Sequence, residues 1–223
     1  MRGSAGGAVG RFTRGSVVVF AVMVAAVARD ARADEHEWYT LVGYRGGVSH
    51  YGSPVEGAGV ATSYAGGIDF TSYYGVLGNL HVGGRIALSR SADVLFSGES
   101  IPAVGAGNLY LDHLSLSVGA LVAYRLQRLG ATFRNDSCLA PVLEFEVGVG
   151  IHNYRNIEQR PTGGDGGVSL PSVTQTVVQG GGSVLLEYRF LEHWVASVGV
   201  GGRVESGRMP WSLFVPIRVG RIW

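Results

Sequence analysis

From residue 38 to the end, the chain falls into eight segments in which apolar and polar positions alternate, separated by clusters of Gly, Pro, Ser and Asp. Alternation at period two marks strands whose two faces meet different surroundings. The clearest case spans 113–126. Leu114, Leu116, Val118, Ala120, Val122, Tyr124 and Leu126 share one face, and His113, Ser115, Ser117, Gly119, Leu121, Ala123 and Arg125 the other. The next segment sets Leu139, Leu143, Phe145, Val147, Val149 and Ile151 against Glu144, Glu146, Gly148, Gly150 and His152. Two glutamates in an otherwise apolar stretch do not suit a strand buried on both faces. They suit a strand with lipid on one side and a polar lumen on the other.

The remaining segments repeat the pattern. In 38–45, Trp38, Thr40, Val42 and Tyr44 point outward if Arg45 points inward. In 64–76, Ile68, Phe70, Tyr74 and Val76 oppose Asp69, Thr71 and Tyr73, and a tight turn follows at 77–79. Leu80, Val82, Ile86 and Leu88 then oppose His81, Arg85 and Ser89. In 173–190, Val178, Val184, Leu186, Tyr188 and Phe190 oppose Gln175, Gln179, Ser183, Glu187 and Arg189. After a turn at 191–193, Trp194, Ala196, Val198, Val200 and Val204 oppose Ser197, Arg203 and Glu205. The last segment, 212–223, sets Leu213, Val215, Ile217, Val219 and Trp223 against Ser212, Phe214, Pro216, Arg218, Gly220 and Ile222.

Eight is an even number, as a single-chain transmembrane barrel requires, and each segment reaches the roughly 9–11 residues needed to cross a bilayer, the first, 38–45, only marginally. Closure would satisfy every backbone group without an edge in hydrocarbon. Long loops are expected at 46–63, 91–108 and 156–172 on the outer side, with short turns at 77–79 and 191–193 on the periplasmic side. The long connection at 127–137 and the short one at 206–210 depart from that asymmetry. Trp38, Tyr124, Tyr188, Phe190, Trp194 and Trp223 would all face outward at the periplasmic end, as an interfacial girdle does, and Tyr64, Tyr110 and Trp211 would begin a second girdle. Aromatics in the core of an ordinary β-sandwich are the alternative.

The terminal segment resembles the closing signature of outer-membrane β-barrel proteins, which end on Phe or Trp after alternating apolar positions. Most of the chain resembles a small outer-membrane β-barrel, similar to the OmpA membrane domain and to opacity-type surface proteins. The resemblance implies an eight-stranded antiparallel up-and-down barrel in the cell outer membrane. It also implies contact with outer-membrane lipid and lipopolysaccharide, and delivery to the barrel-assembly machinery through the strand ending in Trp223. The long loops are candidate sites for a surface ligand. No periplasmic domain is expected after the barrel, so the peptidoglycan-anchoring role of full OmpA-type proteins is not carried over.

Composition sharpens this picture. The 223 residues include 36 glycines and only 16% charged residues, against roughly 25% in average soluble domains. Residues 1–33 read as a cleavable signal peptide. Arg2, Arg11 and Arg14 form the basic start, 16–28 the apolar core, and Ala31-Arg32-Ala33 the cleavage site, so that 34–223 is the barrel domain. The thirteen residues of 16–28 are too few for a spanning helix, which is the alternative. Without residues 1–33, which hold five arginines and one aspartate, 13 arginines face 16 carboxylates, a net charge of −3. That is no footprint for nucleic acid. The single cysteine, Cys138, has no partner for an internal disulfide.

The inward charges nearly balance, with Asp69, Glu144, Glu146, Glu187 and Glu205 against Arg85, Arg125, Arg189, Arg203 and Arg218. An eight-stranded lumen is just wide enough for side chains to fill it, so paired Arg and Glu are expected to seal it. A small porin-like channel lined by charged rings is the alternative. No catalytic, cofactor-binding or metal-binding residues are expected. His81, His113 and His152 lack a ligand spacing, and His193 and Ser197 lack the His-x-Ser pattern of lipid-modifying barrel enzymes. The glycine run at 163–167 is a single copy, unlike repeated calcium turns. Gly199-Val-Gly-Gly202 lies inside a strand with no helix after it, which excludes a nucleotide loop. Two irregularities are predicted in the last strand. Pro216 lacks an N–H, so a bulge or a missing ladder bond is expected there. Arg221 faces outward, which costs about 0–1 kcal/mol near the interface but roughly 2–4 at midplane, so it must snorkel beside Trp223 at the periplasmic boundary.

Overall fold

The computed structural model describes residues 36–55, 59–101, 105–126, 138–161, 167–191 and 193–223. The leader read at 1–33 and the connection at 127–137 lie outside the described residues, as does most of the glycine run at 163–167. Nine strands follow in order: β1 (Trp38–Gly52), β2 (Val60–Leu77), β3 (Leu80–Ile101), β4 (Gly105–Arg125), β5 (Cys138–Pro161), β6 (Val168–Leu170), β7 (Val173–Phe190), β8 (Trp194–Glu205) and β9 (Trp211–Ile222). Every pairing is antiparallel, and sequence neighbours pair throughout, apart from the small insertion β6. β9 returns to β1, from Tyr39↔Ile222 to His50↔Trp211, so the eight long strands close into an up-and-down barrel. β6 adds only three residues to the outer end of β5, at Ile157–Gln159.

The expected strand faces hold on all eight. Val147, Val200 and Leu213 are 61%, 62% and 60% exposed, while Glu144, Arg218 and His152 between such positions are buried. This is apolar outside and polar inside, the inverse of a soluble domain. So large a continuous apolar exterior far exceeds what a soluble monomer tolerates. Regular paired backbone inside an apolar band is the one β architecture that hydrocarbon accepts. The fold is therefore a transmembrane β-barrel of the outer-membrane type. No helix among the described residues is long and apolar enough to cross a membrane.

The two ends of the described chain meet at one rim, where the Trp38 N–H donates to the Trp223 carbonyl at 3.3 Å and Trp223 N–H donates to Trp38 at 2.9 Å. Around this rim lie the expected outward aromatics. Trp38 packs 5.1 Å from Tyr74, Tyr188 stacks 5.8 Å from Phe190, and Phe190 faces Trp194 across a rung. Arg221 lies over the Trp223 ring at 4.3 Å, the snorkelled position required of it. The Pro216 irregularity is a missing ladder rather than a bulge. β8 and β9 keep one register from Trp194↔Arg221 to Val204↔Trp211, but no rungs form opposite Val215 and Pro216.

The long-loop expectation needs correction. Most of 46–63 is strand, since β1 runs to Gly52 and β2 begins at Val60. Of 91–108, all but 102–104 lies in β3 and β4, and 156–161 continues β5. The cause is local. Register shifts between Ser91 and Val94, Phe96 and Glu99, and Tyr110 and Asp112 throw the alternation out of phase while pairing continues. Asp93, at φ 54°, sits in the first of these shifts. β3, β4 and β5, at 22, 21 and 24 residues, therefore rise beyond the apolar band as a paired lobe, whereas β8 and β9 have 12 each.

Glycines at 46 and 66 have a specific use. Tyr44 and Tyr64, both outward, lay their rings over these two positions, where any Cβ would meet them, and their hydroxyls bond each other at 2.6 Å. Two phenols on an apolar exterior thus satisfy one another.

Candidate functional site: a polar lumen closed at three levels

The alternation that puts apolar side chains on lipid sends the charged ones inward, and barrel closure brings them together from strands far apart in sequence. At the centre, Arg85 on β3 donates to Glu144 at 2.5 Å and Glu146 at 2.6 Å on β5, and its Nε donates to Thr71 at 3.1 Å on β2. Arg218 on β9 reaches across to both Glu144 oxygens at 2.9 and 3.0 Å and donates to Asp69 at 3.0 Å. Arg45 on β1 completes the cluster, 3.3 Å from Asp69, with its guanidinium over the Phe214 ring at 4.4 Å. Gln179 donates to Glu146 at 3.2 Å. Three guanidinium groups thus neutralise three carboxylates in a space that side chains fill. Charge-assisted bonds from rigid, forked donors suit such burial.

Toward the terminal rim lies a second cluster. Arg125 donates to Glu187 and to the Tyr39 hydroxyl, each at 2.7 Å, and Tyr73 donates to Glu187 at 3.2 Å. Arg189 pairs with Glu37 at 2.9 Å, and Tyr39 donates to the same carboxylate at 2.9 Å. These polar groups are embedded among Leu41, Leu121, Val195 and Ile222. His81 packs edge-on against Tyr39 and Tyr73, at 5.1 and 5.5 Å between ring centres.

Toward the opposite rim, Tyr51 bonds Ser91 at 2.6 Å and His113 bonds His152 at 3.0 Å. His152 lies 3.1 Å from Glu205, which contacts Arg203 at 2.7 Å as an ion pair without hydrogen-bond alignment. Above this layer an apolar cap of Tyr51, Val94, Phe96, Leu109, Leu111, Tyr154, Ile157 and Met209 fills the interior of the β3–β5 lobe. The lobe exterior is polar. Arg160 lies over Tyr110 at 4.7 Å and donates to Glu158 at 2.9 Å, a bond that lowers the Glu158 carboxyl below its usual range.

All ten charged residues expected inward are in the lumen, divided among three clusters instead of forming one ring. Glu37, Tyr39, Tyr51 and Tyr73 join these clusters as further partners. Their inward direction was readable from period two, but their partners depend on barrel closure. His81, His113 and His152 reach the lumen without forming a ligand set, and no group of three His, Cys, Asp or Glu among the described residues is arranged to hold a metal. Cys138 opens β5 opposite Arg189. His193 lies in a turn and Ser197 is buried on β8.

No protein-family model and no curated protein sequence matches the chain. Several solved structures are similar to it. Ail, the attachment invasion locus protein of Yersinia pestis, is 16% identical over 85% of this chain and 99% of that chain, with a TM-score of 0.46. Neisserial surface protein A is 12% identical over 84% and 98%, with a TM-score of 0.49. The outer membrane protein OprG from Pseudomonas aeruginosa is 12% identical over 85% and 97%, with a TM-score of 0.47. At such identities and scores, the assignment rests on the geometry of the barrel itself.

Proposed function

We propose that this chain is an integral outer-membrane barrel with a structural or surface-interaction role and a sealed lumen, exported by the leader at 1–33. One observation carries the reading: Arg85 on β3 and Arg218 on β9, three strands apart around the barrel, converge on Glu144 of β5 and close the lumen at its centre. The apolar cap closes it again at the lobe end. With no passage for solutes, the accessible chemistry lies on the lipid-facing wall and on the β3–β5 lobe. The partners that fit are outer-membrane lipid and lipopolysaccharide around the wall, and a surface ligand at the lobe. The assembly machinery would meet the closing strand β9 and Trp223. Neither catalysis nor nucleic-acid binding is part of the proposal.

Membrane fractionation combined with gel mobility before and after heating tests it. The protein is expected in the outer-membrane fraction, with faster mobility unheated than heated, because a closed barrel stays compact until boiled. Recovery from a detergent-free soluble fraction would overturn the reading.

A further inference from the structure

The barrel wall is not evenly convex. Across β5, β7, β8, β9 and β1 an open groove of about 640 Å³ is walled by Phe145, Val184, Val200, Leu213, Val215 and Val48. It shares Gly202 and Leu213 with a second depression of about 460 Å³ that reaches Val204 and Trp211. Its walls are outward side chains of the apolar band, and its floor includes the outward glycines 180, 182 and 202, with Glu144, Ser183, Gly201 and Phe214 of the inward face also lining it.

The fold does not require glycine at two of these three positions. A Cβ at Gly180 would come no closer than 3.8 Å, to the Glu146 carbonyl, and one at Gly202 no closer than 3.4 Å, to a Leu213 methyl. Both are ordinary contacts. Gly199, three rungs from Gly202 and on the inward face, differs, since a Cβ there would collide with the Val184 carbonyl. Glycine at 180 and 202 therefore shapes the outer surface and leaves it concave.

We propose that this groove binds one acyl chain of an outer-leaflet lipid. The proposal rests on the reading of the wall as lipid-facing. The groove is continuous with that interface, so hydrocarbon is the medium that meets it, and an unfilled concavity would forfeit dispersion contacts along its walls. From Val215 to Trp211 on β9 is four rises of about 3.3 Å, within the roughly 15 Å depth of one leaflet's hydrocarbon. The groove ends at Trp211, stacked on His50 at 5.2 Å, an aromatic marker of headgroup level. A flexible chain can follow the turn from Phe145 past Gly202 to Trp211, whereas the convex wall of a second barrel cannot.

The test reconstitutes the full barrel in phosphatidylcholine vesicles containing phosphatidylglycerol spin-labelled on its acyl chain. The immobilised fraction is read by electron spin resonance, and oligomeric state by cross-linking. The wild type is expected to immobilise one more labelled chain per barrel than Gly180→Leu/Gly202→Leu. The single Gly180→Leu, with the freest Cβ, should show the same direction if the double variant folds poorly. Ala120→Leu, which fills the lipid-facing side of β4 instead, should leave the fraction unchanged. An equal fraction in wild type and filled variants would overturn the proposal while leaving the membrane reading intact. Conversion of a wild-type dimer to a monomer by the filled variants would also overturn it, in favour of a second copy. Failure of the wild type to enter vesicles would overturn both.

Discussion

Arg85 is held at three points by Glu144, Glu146 and Thr71, and Glu144 is shared with Arg218, so removing either partner strands a charge with nowhere to go. A buried pair is weak grounds for stability relative to apolar replacements, but breaking one costs about 3–5 kcal/mol. Glu144→Ala is therefore expected to destabilise the barrel by about that amount in urea unfolding from lipid vesicles. A loss below about 1 kcal/mol would mean that the carboxylate is solvated and the centre wet. The inward direction of Glu144 and Glu146 was legible in the sequence, because two acids break an apolar run only where the other face is polar. Their partners were not. Arg85 lies 61 residues from Glu146, and Arg218 lies 74 from Glu144, so only closure and register decide which side chains meet.

At the level of strands, the eight crossings and their faces were legible because lipid on one side enforces strict alternation. Their outer ends were not. Beyond the band the exterior turns polar, bulges at Ser91–Val94 and Phe96–Glu99 reset the phase, and the apolar side chains turn inward to form the cap. The reversal of the apolar face between Leu88, outward, and Phe96, inward, is the signature of that transition. Phe96→Ala should cost about 3–5 kcal/mol by opening a cavity in the cap, read as a lower thermal midpoint of the unheated gel form. Conductance should stay at baseline, since the central cluster closes the lumen independently. An unchanged midpoint would show that the lobe is not packed as described. Pro216 belongs to this scale as well: it leaves two rungs unmade without shifting the register, because closure holds β9 against β1 along its whole length.

For the whole molecule, the polar lumen and the apolar wall are two consequences of one alternation, and the groove at Gly180 and Gly202 is a local departure from it. Charge clusters at the centre and toward each rim make the interior a plug of paired charges. The regions left to interact are the wall, the rims and the β3–β5 lobe. The central claim is that the lumen does not conduct, and current recording across planar bilayers holding the refolded, heat-modifiable barrel tests it most directly. The expected record is a flat baseline for wild type and for Phe96→Ala. Discrete current steps in wild type that disappear on substitution of Glu144 and Arg203 would contradict the account and identify a channel.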